Sequence, residues 1–448
     1  MSKKLVLAYS GGLDTSVAIH WLAERGWEVI ALTADLGGTE DPRTAAARAA
    51  AGGATRLDTI QRRALKHGAS KAFVVDARDL FLRHFVWPTL QAGALYEGQY
   101  PLATALGRPL IAKLMVDLAL EEGAVAVAHG CTGKGNDQVR FDVATGALAP
   151  HLEVVAPVRE WKMSRDEEID YAREHGVEVP ATIESPYSTD VNVWGRSIEA
   201  GPLEDPWAEA LEEVFAWTAE PSSAPGRPAY VEISFREGVP VAVDGEELEP
   251  LDLVDRLNAL GGEHGVGRID MVENRLVGIK SREIYEAPGA VLLTTAHAAL
   301  ETVTLGRDVA RFKTRVAAEW ADLTYNGLWF SALRQDLQAF VTSTQRHVTG
   351  EVRLKLHRGL HQVVGRKAPE SLYQLDLATY GSGDAFNQDA AAGFIQLWGL
   401  PLRTQARTQG LLAGAAAQSL LPPGIKGLTG DSVSAPEAAA QPGEAGGG

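Results

Sequence analysis

The sequence predicts two joined domains, an α/β domain built on a parallel sheet followed by an α+β domain. Three observations carry that prediction. Apolar runs of strand length alternate with helical patterns through residues 1–175. Beyond them the pattern turns to period-two alternation broken by glycine turns. The chain has 448 residues, more than one hydrophobic core usually serves.

The elements follow in order. Lys4 to Tyr9 is a short apolar run ending at a Ser-Gly-Gly turn, which reads as a buried strand. Residues 13–25 carry apolar side chains at helical spacing and stop at Gly26, a C-cap signal. Residues 28–34, 71–76 and 124–129 are further buried-strand runs, with helical patterns at about 56–67, 77–92 and 108–122 between them. Such alternation places helices on both faces of a parallel sheet, and ligands then bind beyond the carboxyl ends of the strands. Residues 218–228 are rich in Pro, Ser and Gly and read as a linker. Residues 229–243 alternate like a hairpin, about 307–346 reads as a long helix, and 351–364 alternates again. These readings give a first domain over 1–175 and a second over 176–400. Residues 401–448, dominated by Ala, Gly, Pro, Gln and Thr, are expected to be a disordered tail, because they cannot bury enough apolar surface to offset ordering entropy. The Ala-rich stretch 41–55 reads as a surface insertion.

Bulk properties exclude several classes. A net charge of −16 with no Lys/Arg run disfavours a nucleic-acid partner. The single cysteine, Cys131, rules out an internal disulfide framework and fits a reducing compartment. The opening Met-Ser-Lys-Lys leads straight into a strand and lacks a signal-peptide pattern, and no apolar run is long enough to span a bilayer. The expectation is a cytoplasmic protein with no membrane partner.

The first chemical motif is Ala8-Tyr9-Ser10-Gly11-Gly12-Leu13-Asp14-Thr15-Ser16, between a strand and a helix. Paired glycines let the backbone turn tightly and approach a ligand. Three hydroxyls and the free amides of a helix start favour an anion there, which fits a grip on pyrophosphate. It is neither a Walker loop, for no Lys follows the glycines, nor a Gly-x-Gly-x-x-Gly turn. The competing reading is a tight turn with no ligand. The whole string resembles the signature of N-type ATP pyrophosphatases, which cleave ATP between the α and β phosphates and adenylate an acceptor oxygen. That resemblance implies ATP as substrate and Mg2+ to share the phosphate charge.

The second motif, His129-Gly130-Cys131-Thr132-Gly133-Lys134-Gly135-Asn136-Asp137-Gln138-Val139-Arg140-Phe141, follows the strand at 124–129. Its polar run offers donors and acceptors for the ammonium and carboxylate groups of an amino acid, and Arg140 can grip a carboxylate bidentately. The competing reading is a solvated loop with Asn136 or Asp137 capping a helix. His129 and Cys131 read as packing residues, without metal-ligand partners at usual spacing.

The thirteen-residue string resembles the second signature of argininosuccinate synthases. The resemblance runs from about residue 3 to about residue 400, through Leu95 to Leu102, Pro186-Tyr187-Ser188, Trp194 to Ser197, Gly265 to Arg275, Lys280 to Glu286 and Leu397 to Leu400. It implies a synthetase/multimerisation domain with a C-terminal helix behind the ATP-pyrophosphatase-type domain, and a homotetramer. It further implies that ATP is bound by Ala8, Tyr9, Ser10, Gly11, Gly12, Leu13, Asp14, Thr15, Ser16, Ala34 and Gly130. Thr132, Asn136 and Asp137 would bind aspartate. Tyr100, Thr104, Asn136, Arg140, Ser188, Ser197, Glu273 and Tyr285 would bind citrulline, with Glu273 suited to its ammonium and Arg140 to its carboxylate. Ala105 stands where some relatives carry Ser. No residue is singled out as a general base. The alternatives are a tRNA-thiolating or amide-forming relative, which would need more cysteines or a basic surface, and a non-catalytic scaffold, which would not need Asp14, Asp137 and Arg140.

Overall fold

The computed structural model describes residues 3–38, 56–178 and 186–410. The 41–55 insertion and the tail beyond residue 410 lie outside them. Residues up to Tyr373 form one compact unit, and a second begins at Gln374.

The first sheet is parallel, as predicted. Its strands are β1 (Lys3–Ala8), β2 (Trp27–Asp35), β3 (Lys71–Asp76), β4 (Ala126–Ala128) and β5 (Glu153–Val155), in the order β3-β2-β1-β4-β5. All four pairings are parallel, with Leu5 opposite both Val29 and Ala126. Alternating residues serve opposite faces. Leu5, Leu7, Val29 and Ala31 pack with Ile19, Leu22 and Ile60, from the helices Leu13–Glu24 and Arg56–Lys66. Val6, Ile30 and Leu32 pack with Met115, Val116 and Phe141, from the helices Ala103–Glu122 and Asp137–Leu148. Each fully buried aliphatic side chain contributes about 1.5–3 kcal/mol. The chain leaves β1 towards β2 on one side while β4 lies on the other. The crevice of this sheet therefore opens beyond the carboxyl ends of β1 and β4, where both motifs stand.

The rest of the first unit holds two antiparallel sheets. β6 (Ser188–Asn192), β7 (Gly195–Glu199), β11 (Arg268–Asn274) and β12 (Lys280–Glu286) form a sheet of order β11-β12-β7-β6. β8 (Ala229–Arg236), β9 (Val239–Val243), β10 (Glu246–Glu247), β13 (Gly350–His357) and β14 (Leu360–Lys367) form one of order β10-β9-β8-β13-β14. Val231, Ile233, Val352 and Leu354 of the latter sit in the core with Leu292, Leu293 and Leu300 of the helix Pro288–Thr304. Among the described residues no helix is long and apolar enough to cross a membrane.

Three expectations need correction. The helix read from 108 begins at Ala103 and carries Pro109 inside it; burial of Ala103, Ala105 and Leu106 outweighs the proline's preference for a first turn. The long helix read over 307–346 is two, Arg307–Tyr325 and Ala332–Gln345. Gly327 takes the left-handed backbone (φ +79°) between them, and Ser331 caps the second through its hydroxyl. The 401–448 stretch is not wholly irregular, for a helix covers Leu400–Gln409. Pro401 fits its first turn, Gln, Arg and Ala fill it, and Gly410 ends it with φ +57°.

Candidate active site

The turn after β1 is built from the inside. Thr33 Oγ1 donates to the Tyr9 carbonyl at 2.8 Å and ties the turn to β2. Tyr9 OH lies 3.1 Å from Ser16 Oγ, and Ser10 Oγ 3.1 Å from Thr15 Oγ1. Gly11 has φ +78°, a conformation few side chains tolerate, and a Cβ there would meet Ile60 at 3.1 Å. Arg63 Nη1 donates to the Gly11 carbonyl at 3.0 Å, which turns that dipole aside and brings a cation to the turn. The helix that follows starts at Leu13 with no side chain capping it. Its first amides are left for an anion. A Cβ on Gly130 would lie 2.8 Å from Thr15 Cγ2, so the two motifs stand against each other. Ala34 is the penultimate residue of the neighbouring strand β2.

The second motif does not merely cap its helix. Asn136 occupies the N-cap position of Asp137–Leu148 without a side-chain capping bond. Its amide reaches across the fold instead, with Nδ2 donating to Tyr325 OH at 2.8 Å and Oδ1 accepting from Leu276 N–H at 2.9 Å. Arg140 Nε donates to the Tyr325 carbonyl at 2.9 Å, and its guanidinium lies over the Tyr325 ring at 4.8 Å. Asp137 accepts from Arg108 Nη2 at 2.8 Å and Arg140 Nη1 at 2.9 Å. Burial alone would push the Asp137 carboxyl up; the two arginines overcome it and hold it at about 2. Arg108 also pairs with Asp190. Thr132 is exposed in the same loop.

Several of the expected citrulline residues share one face of the β11-β12-β7-β6 sheet. Tyr285 is opposite Ser197, Ser197 opposite Asp190, and Glu273 opposite Ser281. Two-residue spacing along each strand adds Glu283, Glu199 and Ser188 to that face. Tyr285 OH donates to Glu273 Oε2 at 2.6 Å, and Tyr325 OH donates to Glu273 Oε1. Burial raises the Glu273 pKa against the pull of those hydroxyls. Tyr100 stacks on Tyr285 at 4.2 Å, and its hydroxyl accepts from Thr104 N–H at 2.9 Å. Leu102, between them, sits at φ +64°, a conformation that costs about 1 kcal/mol or more for a non-glycine residue. Thr104 Oγ1 lies 3.5 Å from Ser197 Oγ. Asn136, Arg140, Glu273, Tyr285, Tyr100, Thr104 and Ser197 thus form one connected cluster. Ser188 stands apart, exposed at the start of β6 with no side-chain hydrogen bond among the described residues.

Four members of the site escaped the sequence reading. Arg63, Tyr96, Arg108 and Tyr325 lie on helices or turns outside both motifs, and no spacing marked them. Tyr96 stacks on Tyr325 at 3.6 Å. Glycine at 327 was the one available signal: a Cβ there would come within 2.9 Å of Arg140 Cα, so the helix break is what lays Tyr325 beside Arg140. His129 and Cys131 do prove to be packing residues. Cys131 N–H donates to His129 Nδ1 at 3.2 Å, which leaves Nε2–H to donate to Asp142 at 2.8 Å. Burial pushes the Cys131 thiol up, away from the thiolate a nucleophile needs.

A parallel sheet with an uncapped, glycine-bent helix start at its switch point, beside a polar run, defines a HUP-type nucleotide-binding domain carrying a synthetase site. Residues 4–178 match the Arginosuccinate synthase N-terminal HUP domain, and residues 187–405 the Arginosuccinate synthase C-terminal domain. The chain belongs to the argininosuccinate synthase family. It is 56% identical to the argininosuccinate synthase of Dehalococcoides mccartyi over 92% of this chain and 98% of that one. The enzyme of Rubrobacter xylanophilus is 58% identical, over 90% of this chain and 95% of its own. That of Streptococcus mutans is 54% identical, over 91% and 99%.

Proposed function

We propose that the two loops and the sheet face divide three substrates between them. The reaction of this family joins citrulline to aspartate at the expense of ATP, giving argininosuccinate, AMP and diphosphate in arginine biosynthesis. The turn from Ala8 to Ser16, with Ala34 and Gly130, holds ATP and grips the departing diphosphate by uncapped amides and hydroxyls. Thr132, Asn136 and Asp137 hold aspartate. Tyr100, Thr104, Asn136, Arg140, Ser188, Ser197, Glu273 and Tyr285 hold citrulline. The observation that carries this division is the junction of the motifs: Gly130 against Thr15 on one side, and Asn136 joined through Tyr325 to Glu273 on the other.

The citrulline ureido oxygen attacks the α phosphorus, diphosphate leaves, and the aspartate amine then displaces AMP from the carbon. Positioning and charge stabilisation supply most of the rate. Asp137, held at about 2, stays ionised and serves as an orienting anion; so acidic a group is a poor acceptor for the amine proton. Mg2+ suits the turn, where Asp14, Ser10 and Thr15 offer oxygen donors alone. Asp14 would hold the ion, whose bound charge offsets that of the phosphates.

We also propose a homotetramer in the cytoplasm. The segment from Gln374 supports assembly: Phe394, Ile395, Leu397 and Trp398 are all exposed on one ten-residue helix, an apolar surface of the kind that marks an interface. The test of the reaction is release of AMP and diphosphate from ATP. Release should need citrulline and aspartate together, and equal release with either left out would overturn the assignment.

A further inference from the structure

The helix Leu13–Glu24, which opens at the phosphate turn, ends far from the reacting groups. Its last two turns carry His20 and Glu24, four residues apart and so on one face. His175, at the C-terminal cap of the helix Arg165–Glu174, meets them from the other side. One ligand atom from each of the three lies within 4.8 Å of the others. Glu24 Oε1 is 3.8 Å from His20 Nδ1 and 3.7 Å from His175 Nε2. The two imidazole rings are 4.6 Å apart. Ligands at 2.0–2.2 Å from a tetrahedral ion stand roughly 3.3–3.6 Å from one another. The two contacts to Glu24 therefore lie within a few tenths of an ångström of what the set requires.

The groups behind these atoms are arranged as a metal site requires. His175 Nδ1 donates to the Tyr171 carbonyl at 2.9 Å, which fixes the tautomer and leaves the Nε2 lone pair directed at Glu24. Tyr171 OH donates to Glu24 Oε2 at 2.7 Å, so the carboxylate is held by one oxygen with the other free. That spends the phenol's only proton. The 3.0 Å contact between Tyr171 OH and His20 Nδ1 is then a donation from the imidazole. An ion would take the place of that proton, which moves to the outward Nε2. The nearest competing cation, Arg25, is turned onto the Trp21 ring at 3.4 Å and donates to the Trp21 carbonyl. The side chains of His20 and His175 remain 28% and 30% exposed, enough for an ion to enter and for water to complete its coordination.

We propose that His20, Glu24 and His175 form a binding site for one divalent transition-metal ion, Zn2+ or Co2+ being suitable probes. Two imidazoles and one carboxylate select this class over Mg2+, which prefers oxygen ligands. The site is therefore separate from the ion that accompanies ATP. It would clamp the end of the helix that opens at the phosphate turn to the helix Arg165–Glu174 packed beside it through Val17 and Ala172. The proposal does not depend on the assignment of substrates.

The test uses the full chain, freed of metal. Zn2+ followed by equilibrium dialysis should saturate at one equivalent per chain, and Co2+ should give the intense visible bands of tetrahedral coordination. His20→Ala and His175→Gln should each weaken Zn2+ binding by well over tenfold, and Tyr171→Phe by about tenfold, the usual effect of losing a group that orients a ligand. Activity without added metal should be unchanged in His175→Gln, which shows that the variant is folded. Absence of a saturable equivalent in the wild-type chain, or unchanged affinity in both histidine variants, would overturn the proposal. The second outcome would mean that the ion adheres elsewhere.

Discussion

Arg108→Gln tests the electrostatics of the aspartate segment at a residue outside both motifs. Arg108 is nearly buried and bonds Asp137 and Asp190 at once. The Asp137 carboxyl stands at about 2, close to two units below the ordinary value near 3.9, and at about 1.4 kcal/mol per unit that is a net gain of about 3 kcal/mol left after the penalty of burial. Arg108 is the stronger of the two favourable partners, so its loss leaves the burial penalty opposed by Arg140 alone, less whatever solvent at the partly exposed Asp137 restores. The expected cost is about 2 kcal/mol, since Asp137 keeps its bond to Arg140 while Asp190 loses Arg108. If Asp137 orients aspartate, its KM for aspartate should rise by roughly ten- to thirtyfold, while the KM for ATP changes little and thermal unfolding shifts down by several degrees. Steady-state assay of diphosphate release, varying one substrate at a time, reads this out. Asp190→Asn in the same chain should recover part of the loss, since one of the two facing charges is gone. An unchanged aspartate KM together with an unchanged melting temperature would refute the reasoning.

If Glu273 holds the ammonium group of citrulline it must be ionised, and burial raises its pKa. The acid limb of kcat/KM for citrulline should therefore lie above the ordinary carboxylate value of about 4.3, and Glu273→Gln should abolish that limb and lower kcat/KM by about a hundredfold. Gly130→Ala places a Cβ 2.8 Å from Thr15 Cγ2, on a β-branched residue with little freedom; at about 1–3 kcal/mol of overpacking the KM for ATP should rise about tenfold or more, with aspartate KM the control. Asp137 has a folded pKa below its unfolded one, so its stabilisation is complete above about pH 4 and lost as pH falls from about 4 to about 2. Urea unfolding of Asp137→Asn should accordingly vary less with pH across that window than that of the wild-type chain.

Much of the nucleotide side was legible in the sequence because its causes are local. A strand run, two glycines and a helix start suffice to place a turn, and Gly11 takes the positive φ that such a turn demands. Asn136 was legible as a polar group at a strand end, either a substrate contact or a cap. It makes no side-chain cap, and its side chain bonds a tyrosine 189 residues away. The sheet face was half legible: Ser197 and Tyr285 were named, yet their shared register comes from strand pairing across the second half. Arg108 and Tyr325 were invisible because helical periodicity reports only which way a residue points. What it meets depends on tertiary packing, and for Tyr325 on the break at Gly327.

Tyr325 also joins the two amino-acid subsites proposed above. One hydroxyl takes a hydrogen bond from Asn136 and gives its own to Glu273, and burial raises the Tyr325 pKa, so the proton stays on the phenol. The bond direction is therefore fixed. An amide donor sits at the proposed aspartate end and a carboxylate acceptor at the proposed citrulline end, with Arg140 held against the same residue. The two carboxylates of the site are pushed apart in acidity by what surrounds them. Asp137 is drawn down by two guanidinium groups, and Glu273 is raised by burial among phenols. Such a separation assigns different work to chemically equal groups. On the division of substrates proposed above, Asp137 would stay an anion that aligns the incoming amine, and Glu273, raised by burial, would be the carboxylate that gains from an arriving ammonium group. On that division, the ammonium group of citrulline and the charge of Glu273 would stabilise each other, which links binding to the ionisation of this carboxyl.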